Sequence, residues 1–149
     1  MNNNLVLTSV AVIFKNKEKK RRWFIVKQTD GGNWEFPKAI VRKTESSVRA
    51  ILRATGEKGV MTIKVLEEAG RSGGITTVNG KIVPQRHLYY LVILLTAPEE
   101  PISYPEHAWL EYSKVVRKLV SKRERTMIKQ ARKVLAKWEK ENPEEESPK

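Results

Sequence analysis

Apolar residues run through Leu5 to Phe14 and again through Trp23 to Lys27, with β-branched and aromatic types prominent. Runs of this length and composition read as strands. Between them, Lys15-Asn-Lys-Glu-Lys-Lys-Arg-Arg22 reads as a basic loop, and Gly31-Gly-Asn33 as a turn that leads into Trp34-Glu-Phe-Pro-Lys38. From Ser46 the period changes. Val48, Ile51, Leu52 and Thr55 fall at i, i+3, i+4 and i+7, which predicts a helix capped by Ser46 and ended by Gly59. A glycine inside a helix costs about 1 kcal/mol relative to alanine, so Gly56 loosens the last turn.

Met61 to Glu67 reads as a further strand. Ile75 to Val78 and Lys81 to Leu95 flank Asn79-Gly80, the pair favoured in a two-residue hairpin turn. Pro84 places its surroundings at a sheet edge, because proline donates no ladder hydrogen bond. Ala108 to Tyr112 reads as a short strand. Val115, Val116, Leu119 and Val120 predict a short helix, and Met127, Ile128, Ala131, Val134, Leu135 and Trp138 a long one. This order predicts an α/β domain with helices on both faces of a mixed sheet. One domain is expected over residues 1–140, followed by an acidic, disordered tail at 141–149.

Charge adds a preference in partners. The 149 residues hold 29 Lys and Arg against 17 Asp and Glu, a formal charge of +12, and the tail's four Glu and one Lys leave +15 on the rest. Such a field attracts phosphate on a nucleotide, on RNA or on a membrane surface, or else keeps a lysine-rich surface soluble. The chain has no Cys, which excludes thiol catalysis and thiolate metal sites. The longest apolar run, Leu88 to Leu95, is too short to cross a bilayer. The N-terminus, Met-Asn-Asn-Asn-Leu-Val, lacks the basic start and cleavage site of a signal peptide, so a cytoplasmic protein is expected.

Residues 34–60 carry a resemblance. Trp34-Glu-Phe-Pro-Lys-Ala39 resembles the W-x-F-P-K-G segment of the Nudix branch that includes dinucleoside polyphosphate hydrolases. The Nudix box reads G-x5-E-x7-R-E-U-x-E-E-x-G-U, with U apolar. Anchored on that segment, Ala39 stands at the box Gly, Glu45 at the first Glu, Arg53 at the Arg and Glu57 at the first Glu of the pair. Ala54 and Lys58 stand where the box has two further Glu, and Gly59-Val60 arrives one residue early. The likeness continues through Gly70 to Leu95 and through Trp109-Leu-Glu-Tyr-Ser-Lys114, covering most of residues 5–138.

The resemblance implies an α/β/α sandwich and hydrolysis, with magnesium, of nucleoside diphosphates linked to another moiety. By resemblance Glu57 binds metal, Glu45 and Arg53 support the helix, and Lys38 contacts substrate phosphates. Positions 54, 57 and 58 share one helix face, where three carboxylates would converge on a hard cation. Here that face offers Glu57 beside a methyl group and an ammonium, so the expected activity is weak or lost. Lys58 is either a phosphate-holding cation or an exposed last-turn lysine, and Arg53 with Glu57 at i, i+4 is equally a surface ion pair. Trp34 or Tyr89 would stack on a base, or belong to the core. Glu99, Glu100 and Glu106 are alternatives for an additional loop acid. The expected ligand is a nucleotide or dinucleoside polyphosphate. The alternative is a non-catalytic module that binds RNA or nucleotides through its basic surface.

Overall fold

Strands β1 (Val6–Lys17) and β2 (Lys20–Lys27) meet in a hairpin whose two turn residues, Glu18 and Lys19, both have positive φ, at 54° and 66°. The basic segment expected as a loop is therefore mostly strand. Lys15 faces Arg22 and Asn16 faces Arg21 across the ladder. Like charges directly opposite destabilise a sheet, and here they are given outside partners. The Lys15 ammonium lies 4.3 Å from the centre of the Trp109 ring, Arg21 pairs with Glu139, and Arg22 approaches Glu111 at 3.8 Å.

The computed structural model describes residues 5–58, 61–96 and 103–143, apart from the side chains of Lys17 and Lys58. Gly59, Glu99, Glu100 and residues 144–149 of the tail lie outside the described residues. After β2 come β3 (Lys38–Ile40), α1 (Ser47–Lys58), β4 (Thr62–Val78), β5 (Lys81–Thr96), β6 (Glu106–Leu110), α2 (Tyr112–Lys118) and α3 (Lys122–Glu141). The sheet order is β4-β5-β1-β2-β6, with β3 also paired to β1. Among the described strands only β1 and β5 run parallel, from Val6 opposite Gln85 to Phe14 opposite Ile93. The sheet is thus mixed, as expected.

Alternation along the two central strands divides the core in two. Val10, Val12 and Phe14 of β1, with Tyr89, Leu91 and Ile93 of β5, face Val115, Leu119, Ile128, Ala131 and Leu135 of α2 and α3. Ala11 and Ile13, with Leu88, Tyr90 and Val92, face Ile51 of α1. Both faces are covered, which gives the α/β/α sandwich.

Three further elements differ from the sequence reading. Val48 and Leu52 of α1 are exposed, at 38% and 44%, while Ala50, Ile51, Ala54 and Thr55 are buried. The buried face thus sets two alanines beside Ile51 against the sheet, and Val48 and Leu52 turn out. Strand β4 runs unbroken through Gly70-Arg-Ser-Gly-Gly74, because β5 supplies a partner along its length, with bulges at three points. A Cβ at Gly70 would come within 2.8 Å of Met127 Sδ, so a larger residue there requires the Met127 side chain of α3 to shift. Strand β6 ends at Leu110, and Tyr112 already begins α2. Asn79 and Gly80 have φ of 51° and 77°, as their turn requires, and Pro84 lies where β5 extends beyond the end of β1. Among the described residues no helix is long and apolar enough to cross a membrane.

Candidate functional site

The segment Trp34–Lys38 is tied down residue by residue. Glu35 exchanges two backbone hydrogen bonds with Val26, at 2.8 and 2.9 Å, and the Pro37 carbonyl accepts from the Ala11 amide at 2.9 Å. Phe36 is fully buried between them. Glu35 and Lys38, on either side of this anchor, line a cleft of about 690 Å³.

Lys38 is not a free ammonium in that cleft. Its Nζ donates to Glu124 Oε2 at 2.8 Å and lies 3.1 Å from Glu35 Oε1. Glu124 comes from the first turn of α3, its side chain is 3% exposed, and its other oxygen accepts from the Phe36 amide at 3.3 Å. Burial pushes the Glu124 carboxyl above its ordinary range, partly countered by Lys38. Burial alone would lower Lys38, but the two carboxylates outweigh it and hold the ammonium above its ordinary value. The two shifts pull the ion pair in opposite senses. Lys38 keeps more contact with water than Glu124, and two carboxylates flank it. The proton stays on the amine.

A second ion pair closes the loop before α1. Glu45 takes Arg53 Nε at 2.8 Å on one oxygen and Nη2 at 3.0 Å on the other, while that same Nη2 donates to the Ile40 carbonyl at 3.0 Å. The Arg42 amide donates to Glu45 at 3.0 Å, and Ser46 Oγ caps the helix by accepting from the Arg49 amide at 3.1 Å. The hydrogen bonds from Arg53 and then from Arg42 hold the Glu45 carboxyl down at about 2. A carboxyl lowered on folding stabilises the fold above its unfolded value and loses that effect as pH falls toward the folded one. The wild type should therefore melt above Glu45→Gln at neutral pH, with the gap closing as pH falls from about 4.5 toward 2. Thermal melts across that range check this. A gap that ignores pH would show that the pair contributes nothing through charge.

Arg53, Ala54 and Glu57 all line the cleft, opposite Lys38, Arg42 and His87. The helix face assigned from the sequence is thus the cleft face. Arg53 binds Glu45 rather than forming the i, i+4 pair with Glu57 considered above. Among the described residues no three His, Asp or Glu side chains converge as a metal site. The carboxylates on the cleft are Glu57 and Glu35, and Glu35 is engaged by Lys38. Magnesium keeps several waters and is held by carboxylates together with substrate phosphates. The described donor set does not fit a protein-built magnesium site.

The other expected residues divide. Trp34 is half-buried and lines a smaller adjoining cavity, with the Lys27 and Lys118 ammoniums 5.2 and 5.7 Å from its ring centre. Tyr89 is 1% exposed and packs in the core, and it lines the same smaller cavity from its buried side. Glu106 pairs with Lys27 at 3.1 Å at the sheet edge and lines neither cavity. Sequence reasoning missed Glu124, Glu35 and Arg42. The spacing Ser121-x-x-Glu124 was a usable signal for a helix start. Ser121 Oγ does accept from the Glu124 amide, at 3.2 Å, but the carboxylate turns inward to Lys38 instead of capping in return.

No protein-family model matches the chain, and no curated protein matches it. Solved structures do. The chain is similar to a Caenorhabditis elegans Ap4A hydrolase in a binary complex, at 18% identity and a TM-score of 0.68 over 89% of this chain and 98% of that one. It is also similar to the Escherichia coli dihydroneopterin triphosphate pyrophosphohydrolase, at 14% and 0.67 over 83% and 92%. A third likeness is to the NUDIX domain of Shewanella oneidensis NrtR complexed with ADP ribose, at 20% and 0.67 over 88% of each chain. The chain has the Nudix fold.

Proposed function

We propose that this Nudix-fold protein binds nucleoside diphosphate-linked compounds, dinucleoside polyphosphates among them, in the cleft between β3 and α1, and that metal-dependent pyrophosphohydrolysis is weak or lost. One observation carries the reading: the cleft face of α1 pairs Glu57 with Ala54, while Lys38, Arg42 and Arg53 border the same space. The cleft is better furnished for phosphate than for a cation. Lys38 and Arg53 already hold carboxylates, so exposed Arg42 is the cation assigned to meet the phosphates. Charge-assisted hydrogen bonds from a guanidinium fork suit that task. Glu45 and Arg53 act behind it by fixing the loop, and Lys58 follows Glu57 on the same helix.

The test is a magnesium titration of the wild type and of Ala54→Glu, together with turnover of a dinucleoside polyphosphate. Wild-type turnover is expected below about 1 per second with magnesium. Ala54→Glu should raise magnesium affinity roughly tenfold by placing a second carboxylate one turn from Glu57. Ordinary wild-type turnover, or unchanged magnesium affinity in the variant, overturns the reading.

A second reading, RNA binding without catalysis, rests on the exposed Lys129, Lys133, Lys137 and Lys140 along α3. Single-stranded RNA binding that falls steeply with salt and ignores Arg42→Ala would favour it.

A further inference from the structure

None of the residues of the basic hairpin, 15–22, lines either cavity. Thr8 lines the cleft, and Lys15 stands seven residues further along the same strand, about 23 Å at 3.3 Å per residue. Across the ladder Lys15 faces Arg22 and Lys17 faces Lys20, while Asn16 faces Arg21. Opposed residues share a face of a ladder, and so do residues two apart. Lys15, Lys20 and Arg22 therefore lie on one face together with Phe24, and Trp109, opposite Phe24 on β6, joins them. We propose that this face binds a single-stranded nucleic acid, with phosphates along the cations and a base stacked on the Trp109 indole. The site is separate from the cleft and does not depend on how the cleft is read.

The two faces of the hairpin are answered differently. On the α3 side Arg21 pairs with Glu139, and its Nε donates to Asn16 Oδ1 at 3.0 Å. On the other side Arg22 approaches Glu111 only at 3.8 Å, Lys20 is exposed, and the Lys15 ammonium rests over the Trp109 ring. Like charges directly opposite one another destabilise a ladder, and a chain of phosphates relieves that repulsion. Successive rungs on one face are about 6.6 Å apart, close to the separation of neighbouring phosphates in an extended single strand.

The aromatic ring decides the kind of polyanion. Trp109 is half-buried, and its ring centre lies 4.7 Å from that of Phe24, which fixes its plane. A pre-fixed aromatic stacks a base at little ordering cost, and stacking outweighs the exposed cation–π contact with Lys15 that it replaces. The displaced ammonium stays within reach of the phosphates. A duplex keeps its base faces stacked on one another, so a ring among cations favours a single strand. The hairpin tip, Glu18-Lys19, is exposed and charged, whereas a membrane surface would ask for apolar residues there.

Fluorescence anisotropy of the full chain at low salt tests the proposal, with a labelled oligothymidine of about 12 nucleotides and an abasic strand of the same length. Oligothymidine should bind about tenfold more tightly than the abasic strand, and both should weaken steeply as salt is added. Lys20→Ala combined with Arg22→Ala should weaken both strands about tenfold and flatten the salt slope by about 1.4, at about 0.7 per phosphate contact. Trp109→Leu should bring oligothymidine down to the level of the abasic strand with its slope unchanged, because stacking releases no counterions. If that variant fails to fold, the comparison of the two strands on the wild type carries the stacking arm. A matched loss of charge on α3, Lys133→Ala with Lys137→Ala, should stay within about twofold. Equal affinity for the two strands, equal losses from the two double variants, or no binding at low salt overturns the proposal. ADP titration of the hairpin variants should match the wild type, which keeps the cleft reading separate.

Discussion

Lys38→Ala should destabilise the fold by about 3 to 5 kcal/mol, the range for removing one partner of a buried ion pair. The loss comes from the partner left behind. Glu124 is 3% exposed on its side chain, and without Lys38 its remaining hydrogen bond is the 3.3 Å contact from the Phe36 amide. A buried carboxylate so poorly compensated has to take up a proton or draw in water. Urea denaturation of Lys38→Ala, and of Lys38→Met combined with Glu124→Gln, separates the causes. The double variant should recover most of the stability, because a buried pair adds little beyond relieving its own desolvation. A single-variant loss under about 1 kcal/mol would mean that water reaches Glu124 freely. The sign with pH follows from the raised ammonium: its contribution is complete below the ordinary lysine value and is lost as pH rises through the higher folded one. A fall in nucleotide affinity in Lys38→Ala is then interpretable only in protein shown to be folded.

Tyr89→Ala should cost about 3 to 5 kcal/mol as well, through the cavity left by a large aromatic in the core. Its ring is 1% exposed and lies among Val10, Leu91 and the α3 residues Ile128 and Ala131, with His87 stacked at 6.2 Å. Tyr89→Phe keeps that volume and the ring and should leave nucleotide binding unchanged, if the residue acts by packing alone. Guanidinium melts and ADP titrations of the two variants check this. A large affinity loss in a stable Tyr89→Phe would return the residue to the site.

What could be read without the structure was what nearby residues impose on one another. Asn79-Gly80 fixed a hairpin because both positions need positive φ, and Ser46 fixed a helix start because its hydroxyl reaches an amide three residues on. The Glu18-Lys19 turn has the same geometry and was missed, since neither residue is a usual choice for it. The arrangement of Arg53, Ala54 and Glu57 on one face was also legible, being a matter of helical spacing. Which face of α1 is buried was not, because Val48 and Leu52 compete with Ala50 and Ala54 until a sheet is there to favour close approach.

The sequence by itself determined the elements, their order and the candidate cleft face, because these follow from backbone geometry and side-chain period over a few residues. Tertiary structure alone decided the state of the charges and aromatics. Lys38 meets Glu124 across 86 residues of chain, and only packing α3 on the sheet removes that carboxylate from water. Tyr89 and Trp34 look alike as aromatic residues beside polar ones and line one cavity, yet Tyr89 is buried in the core while Trp34 is half-buried at its edge. Solvation decides both cases, and it depends on which surfaces the folded chain brings together.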